Sequence, residues 1–151
     1  MFTKQQILDK IQTQFSGLVV NQNWGETGLF YNPELKLKIG IYLLTIKEKD
    51  GTNDSSSNLN RGNLFRLNIG ISKSTFTKMF GRIPKRPPAG GIIDKNFDFS
   101  EIDKIMPHPV YGWMCWICVI NPSEKTFNDL NPLIEESYKL ALEKYSKRKW
   151  K

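Results

Sequence analysis

Histidine and cysteine are scarce in this chain of 151 residues, which contains one histidine and two cysteines. A structural zinc ion is normally held by four such side chains, so the sequence predicts no metal site. Cys115 and Cys118 have the spacing of redox and zinc motifs, but they lie in a predicted strand, where residues three apart point to opposite faces. We therefore expect two buried structural cysteines in a reducing compartment.

Long hydrophobic runs are also missing. The two longest, residues 39–46 and 113–120, have eight residues each, whereas a helix needs about 20 to cross a bilayer. Residues 1–10 lack the basic stretch followed by an apolar block that is typical of a secretory signal. We therefore expect a cytoplasmic protein with no membrane partner.

Fingerprints of nucleotide binding and of nucleophilic catalysis are absent as well. The glycines of residues 81–91 have neither Walker nor Rossmann spacing, and no serine or cysteine stands in a nucleophile elbow. We predict no cofactor and no catalytic residue, and we favour a binding module over an enzyme.

The sequence does contain enough apolar surface for a single globular domain. Hydrophobic residues make up 39% and charged residues 25% of the chain, which is typical of a folded protein. No linker or repeat divides it, so we interpret residues 1–151 as one α+β domain. Segments near 49–61 and 82–96 are predicted to be mobile loops, and residues 144–151 a basic tail.

Hydrophobic periodicity predicts helices at both ends of the chain and a sheet between them. One helix covers about residues 4–15 with Thr3 as its cap, and a short one with its cap at Ser72 or Ser74 ends at Gly81. Another short helix opens with Ser100 and Asp103, and the terminal helix begins at Pro132. Strands are predicted at residues 18–23, 27–31, 38–46, 63–70 and 113–120. We expect an α+β fold with a mainly antiparallel sheet of about five strands, covered on one face by the N- and C-terminal helices.

A predicted strand in the middle of the chain places polar side chains at every second position. Arg66 and Asn68 share one face of it, so they are either exposed or line a pocket suited to an anion or a carbonyl group. His108, on a loop held by two prolines, and Tyr111 are further candidates for that pocket, with the segment 82–91 as its lid. The alternative role of His108 is structural, with its ring nitrogens bonded to the backbone.

The chain is basic, with a net charge of +7 and a pI near 9.4. This charge is compatible with nucleic acid, an anionic surface or an acidic partner, and equally with a solvated surface that keeps a small protein in solution. Cations beside tryptophan are typical of single-strand binders. The candidates for contact with a polyanion are Arg82, Lys85, Arg86, Lys147, Arg148, Lys149 and Trp150.

Several strings resemble a bacterial family of domains of unknown function of about this length. They are FRLNIG at residues 65–70, MPHPVY at 106–111 and WICVINP at 116–122. This resemblance covers nearly the whole chain and implies no activity. The last forty residues, which contain LIEESYKL at 133–140, resemble the end of MmcQ/YjbR-like proteins, small α+β domains suggested to bind DNA, and this implies contacts through basic loops.

Three classes of function are open at this point. The leading hypothesis is a nucleic acid-associated binding module that uses the basic residues named above. The alternative is a small-molecule-binding protein or enzyme with a pocket formed by Arg66, Asn68, His108 and the glycine- and proline-rich segment. A protein that binds other proteins is the third class, and a contiguous exposed patch of Phe or Trp would favour it.

Overall fold

A computed structural model of the chain describes residues 2–23 and 25–148 and places three α-helices and six strands among them. The helices are α1 (Lys4–Gln14), α2 (Lys73–Phe80) and α3 (Glu124–Ser146). The strands are β1 (Leu18–Asn23), β2 (Glu26–Tyr31), β3 (Ile41–Lys47), β4 (Arg66–Gly70), β5 (Met106–Pro107) and β6 (Trp116–Ile120). Short 3-10 turns lie at Pro33–Leu35, Leu59–Arg61 and Gly112–Met114.

The described strands form one sheet in the order β1-β2-β3-β4-β6-β5, and every neighbouring pair is antiparallel. The predicted α+β fold with a mainly antiparallel sheet is therefore confirmed. The strand that the sequence did not predict is β5, which has only two residues and so shows no alternation that a pattern could reveal. Its place at the sheet edge depends on pairing with β6.

One face of the sheet packs against helices α1 and α3. Ser137 of α3 donates a 2.8 Å hydrogen bond to the carbonyl of Leu43, beside the β-bulge where the register of β2 and β3 shifts. The helices and the sheet share one apolar cluster, which includes Ile7, Leu8, Ile11, Leu29, Leu44, Ile46, Leu67, Ile69, Val119, Leu130 and Ile134. The predicted covering of one face by the terminal helices is thus present.

The bounds of the two terminal helices were predicted with different success. Thr3 caps α1 in a capping box with Gln6, as its sequence indicates. The prediction that the last helix begins at Pro132 is wrong, because α3 begins at Glu124 and Pro132 lies inside it. Ser123 caps the helix, and two further turns bury Phe127 and Leu130 in the core, which offsets the cost of an internal proline.

Two other predictions near β6 are also wrong. No helix follows Ser100. Instead, Ile102 forms a β-bridge with Ile120 of β6. Asp103, which has a φ of 60°, donates its N–H to the carbonyl of Ile120 at 2.7 Å. The last strand is shorter than residues 113–120, because Gly112–Met114 form a 3-10 turn and Cys115 takes a left-handed conformation with a φ of 64°.

No helix in the described ranges is long and apolar enough to cross a membrane.

Candidate functional site

The face of the sheet opposite the helices carries a row of polar side chains. Lys47 is paired directly with both Glu26 and Arg66, and Thr45 is paired with Asn68. Residues that are paired directly across antiparallel strands project to the same face. Strands β2, β3 and β4 therefore bring all five side chains together.

Arg66 lies at the centre of this face and is completely buried. Its Nη1 and Nη2 atoms donate to the two carboxylate oxygens of Asp54, and Nη1 also donates to Ser57 Oγ at 2.9 Å. Its Nε donates to Asn68 Oδ1 at 2.7 Å, and its fifth N–H faces His108 Nε2 at 3.1 Å. Burial lowers the pKa of this guanidinium, but the hydrogen bonds and charge of Asp54 outweigh that effect and raise it above its ordinary value. Arg66 is therefore charged, and its donors are engaged within the protein.

Asn68 extends the network toward β2. Its Nδ2 atom donates to Thr45 Oγ1 at 3.0 Å and to Glu26 Oε1 at 3.3 Å. Thr45 Oγ1 in turn donates to the same carboxylate oxygen at 3.1 Å. Glu26 is thus held by two donors through one oxygen, and a continuous hydrogen-bond path joins it to Arg66 and Asp54.

His108 closes the network on the other side of Arg66, and it is 2% exposed. The backbone N–H groups of Val110 and Tyr111 point at Nδ1, at 3.1 and 3.0 Å, while Arg66 faces Nε2. Burial, followed by the positive charges of Arg66 and Lys47, holds the pKa of this imidazole well below its ordinary value. The ring is therefore neutral. N–H donors face both of its nitrogens, and a protonated imidazolium could accept from none of them.

A cleft with a volume of about 360 Å³ opens over this polar row. Its lining consists of Glu26, Tyr42, Thr45, His108, Tyr111, Met114 and Trp116. Tyr42 and Trp116 form one corner, with ring centroids 6.5 Å apart and planes at 78°, and Tyr111 lies 5.1 Å from the His108 ring. We call this site the aromatic cleft.

The four residues predicted to form a pocket lie close together, at two levels. His108 and Tyr111 line the aromatic cleft, whereas Arg66 and Asn68 lie beneath it and bond to residues that line it. The segment 82–91, predicted as a lid, contributes no residue to this lining.

A second groove adjoins the aromatic cleft and has a volume of about 310 Å³. The two share Tyr42, Met114 and Trp116, and the second is also lined by Lys144 in the last turn of α3 and by Arg148 just beyond its end. We call it the basic groove.

The predicted polyanion contacts occupy different settings. Arg82 lies 4.0 Å from Asp94, Lys85 is exposed, and the Arg86 guanidinium lies 4.9 Å from the centroid of the Trp113 ring. Lys147 pairs with Glu143 at 3.4 Å, and Arg148 lines the basic groove. Lys149 and Trp150 lie outside the described residues.

The two cysteines are free and buried, as predicted, although only Cys118 lies in a strand. Cys115 belongs to the core beneath the helices, whereas Cys118 packs with Ile93, Phe99 and Met106 on the opposite face of the sheet. Burial raises the pKa of the Cys118 thiol to about 12. In residues 2–23 and 25–148, no group of three or more histidine, cysteine and acidic side chains could hold a metal ion.

Several residues of the site are not predictable from the sequence. Asp54 and Ser57 belong to a polar segment that reads only as a loop, and Glu26 stands in a hairpin connection. Trp116 and Tyr42 looked like ordinary strand residues. A signal was present for Glu26 alone, because an acidic residue at the start of a strand next to a buried cation invites a search for its partner.

The fold and the site define a small α+β protein whose antiparallel sheet packs against helices on one face and carries a buried arginine network under an aromatic cleft on the other. The chain belongs to the family of unknown function DUF6194, whose model matches residues 2–150. The predicted membership in a family of domains of unknown function is thereby confirmed. No curated protein and no solved structure matches the chain. The likeness to MmcQ/YjbR-like proteins stays a prediction.

Proposed function

We propose that this protein is a non-enzymatic binding module that holds a small organic molecule in the aromatic cleft. The observation that carries the proposal is the gathering of large exposed side chains at one place. Tyr42, Tyr111 and Met114 are 43%, 46% and 51% exposed, and all three line the cleft. Single exposed apolar residues are ordinary, whereas a concave group of them around a few polar atoms is the usual form of a ligand site.

The groups beside the cleft support binding better than catalysis. N–H groups face both ring nitrogens of His108, so its imidazole is poorly placed to exchange a proton with a ligand. The Cys118 thiol is buried and carries little thiolate at neutral pH, because its pKa is raised. In this proposal Tyr111 contacts the ligand, while Arg66, Asn68 and His108 are positioning residues that fix the floor of the cleft.

Thermal-shift screening of small organic molecules tests this proposal. A ligand of the cleft is expected to raise the Tm of the wild type, because it binds only the folded state. Tyr42→Ala and Tyr111→Ala should abolish that rise. Met79→Ala is the matched control, since Met79 is 38% exposed on α2 and does not line the cleft. A rise in Tm that survives both tyrosine substitutions would contradict the proposal.

Contact with a nucleic acid is the second candidate function, and the basic groove favours it. Lys144 and Arg148 share this groove with Tyr42 and Trp116. Cations that pair with phosphates, next to rings on which bases can stack, are the combination that single-strand binders use. The net charge of +7 acts in the same direction.

Fluorescence anisotropy with labelled single- and double-stranded oligonucleotides at low and moderate salt tests the second candidate. Binding should weaken as salt rises, and Lys144→Ala and Arg148→Ala should each reduce the slope of log K against log salt by about 1. Lys125→Ala, which removes an 86% exposed cation at the other end of α3, should leave binding unchanged. Salt-insensitive binding, or none at low salt, would remove this candidate.

A further inference from the structure

The aromatic cleft is lined by the carboxylate of Glu26, of which one oxygen atom is available as a hydrogen-bond acceptor. Glu26 Oε1 accepts from Thr45 and Asn68, and no hydrogen bond from a described residue reaches Oε2. The carboxylate is therefore fixed in orientation by one oxygen, while the other remains available to a ligand. A fixed acceptor of this kind attracts a positively charged donor or an alkylated cation.

Aromatic rings form the walls around this carboxylate. The rings of Tyr42 and Trp116 meet at 78°, and Tyr111 lies beside His108. The face of each ring is negative because of its quadrupole. Aromatic rings set nearly at right angles to each other are a usual feature of sites for a quaternary or methylated ammonium group.

Among the cations near the cleft, Lys144 and Arg148 line the adjoining basic groove and not the aromatic cleft itself. Arg66 is completely buried and paired with Asp54, and His108 is neutral. Lys47 is 8% exposed and is not part of the cleft lining. The pKa of Tyr42 is raised first by burial and then by the negative charge of Glu26, so the charge of Glu26 acts on this wall of the cleft.

We infer that the ligand of the aromatic cleft is an organic ammonium ion with N-methyl or other small alkyl groups. Its positive nitrogen lies in the corner of Tyr42 and Trp116 and faces Glu26 Oε2. This inference rests on the proposed function and adds the charge and shape of the ligand to it. It differs from the expectation of an anion or a carbonyl group, because the donors of Arg66 are engaged by Asp54, Ser57 and Asn68.

Isothermal titration calorimetry with choline and with its uncharged carbon isostere, 3,3-dimethylbutan-1-ol, tests the inference. The two probes have the same shape and differ in the charge. We expect choline to bind at least about tenfold more tightly, because the cation–π and carboxylate contacts need the charge. Equal affinities would overturn the inference but leave a binding cleft in place. Failure of both probes would overturn the inference too, and the screen of unrelated molecules then decides the proposed function separately.

Three variants separate the parts of the site. Glu26→Gln keeps an oxygen for Thr45 and Asn68 but removes the charge, so it should weaken choline by about tenfold and leave the isostere unaffected. Tyr42→Leu keeps apolar volume but removes a ring, so it should also weaken choline selectively. Glu48→Gln is the control, because Glu48 is an exposed partner of Lys4 outside the cleft. Unchanged choline affinity in both cleft variants would overturn the inference.

The same chemistry occurs in free solutes and in choline lipid headgroups. Co-sedimentation with phosphatidylcholine vesicles distinguishes them. We expect choline to bind while the protein stays in the supernatant, since the ligand must enter a cleft of about 360 Å³. Sedimentation with vesicles that free choline reverses would assign the site to the lipid headgroup and overturn the free solute as its ligand.

Discussion

Arg66 and Asp54 form the ion pair on which the buried network depends, and their side chains are 0% and 14% exposed. Asp54→Ala would leave the guanidinium buried without its counter-charge. We expect the free energy of unfolding to fall by about 3–5 kcal/mol, because an unpaired buried charge is far more costly than a missing surface contact. Urea denaturation followed by circular dichroism measures this change.

An exposed ion pair supplies the control for that measurement. Lys125 and Asp129 are 86% and 55% exposed, so Asp129→Ala should cost less than about 1 kcal/mol. The double variant Asp54→Ala with Arg66→Met should lose less than the sum of the single variants, because it removes the pair together. A loss for Asp54→Ala no larger than that of the control would show that the pair is not structural.

His108 makes stability depend on pH. The unfolded imidazole titrates near its ordinary pKa of about 6.5, whereas the pKa in the folded protein lies well below that value. Below a pH of about 6.5 the unfolded chain therefore binds one proton more than the folded chain. Above that pH, the contribution of His108 to the free energy of unfolding should be constant. Below that pH, the free energy of unfolding should decrease by up to about 1.4 kcal/mol per pH unit. Urea midpoints measured from about pH 8 to about pH 5, a range that spans the ordinary histidine pKa of about 6.5, test this.

His108→Asn separates this effect from the titration of carboxylates. The asparagine amide oxygen can still accept from the N–H groups of Val110 and Tyr111, but it does not titrate. The variant should be less stable at neutral pH and should lack the additional loss on acidification. If both proteins lose stability in parallel as the pH falls, the histidine is not the group responsible.

At the scale of the elements, α3 contains a proline that weakens its backbone hydrogen bonding. Pro132 lies in the interior of this helix and its side chain is exposed, so it interrupts the backbone hydrogen bonds without contributing to the core. Pro132→Ala should raise the free energy of unfolding by about 1–2 kcal/mol, which is less than the full difference in helix propensity because proline also restricts the unfolded chain. Thermal and urea unfolding measure the gain. Lys139→Ala, at an exposed position of the same helix, should change it by less than about 0.5 kcal/mol.

The elements also show where sequence patterns stop being informative. The cap at Thr3 and the alternation of Arg66 and Asn68 are predictable from the sequence, because each depends on residues close in the chain. Of the two predicted caps of α2, Ser72 and Ser74, the structure has Ser72. The role of Asp54 is not predictable in this way, because it depends on contact with Arg66 of β4, which follows an irregular segment of the chain. The sequence predicts Asp103 in a helix, yet pairing with β6 and a hydrogen bond from the Ser123 N–H hold it in a left-handed conformation.

At the scale of the whole molecule, the sequence predicted the α+β class and the face that the helices cover. The apolar periodicities of α1, α3 and the strands all point to one core, so they were sufficient for this. The second face depends on contacts between β2, β3, β4 and two irregular segments, which no local pattern encodes. The mobility predicted for residues 49–61 and 82–96 stays a prediction.

The network beneath the cleft contains the chain's only histidine. A ¹⁵N-labelled sample therefore gives a single pair of imidazole nitrogen resonances, which need no assignment. Arg66 faces one of these nitrogens, and Arg66 is linked through Asn68 to Glu26. A molecule that binds at Glu26 changes the polarisation along this path. The protein thus carries its own spectroscopic reporter of occupancy, and unlabelled compounds can be ranked by the displacement of one signal.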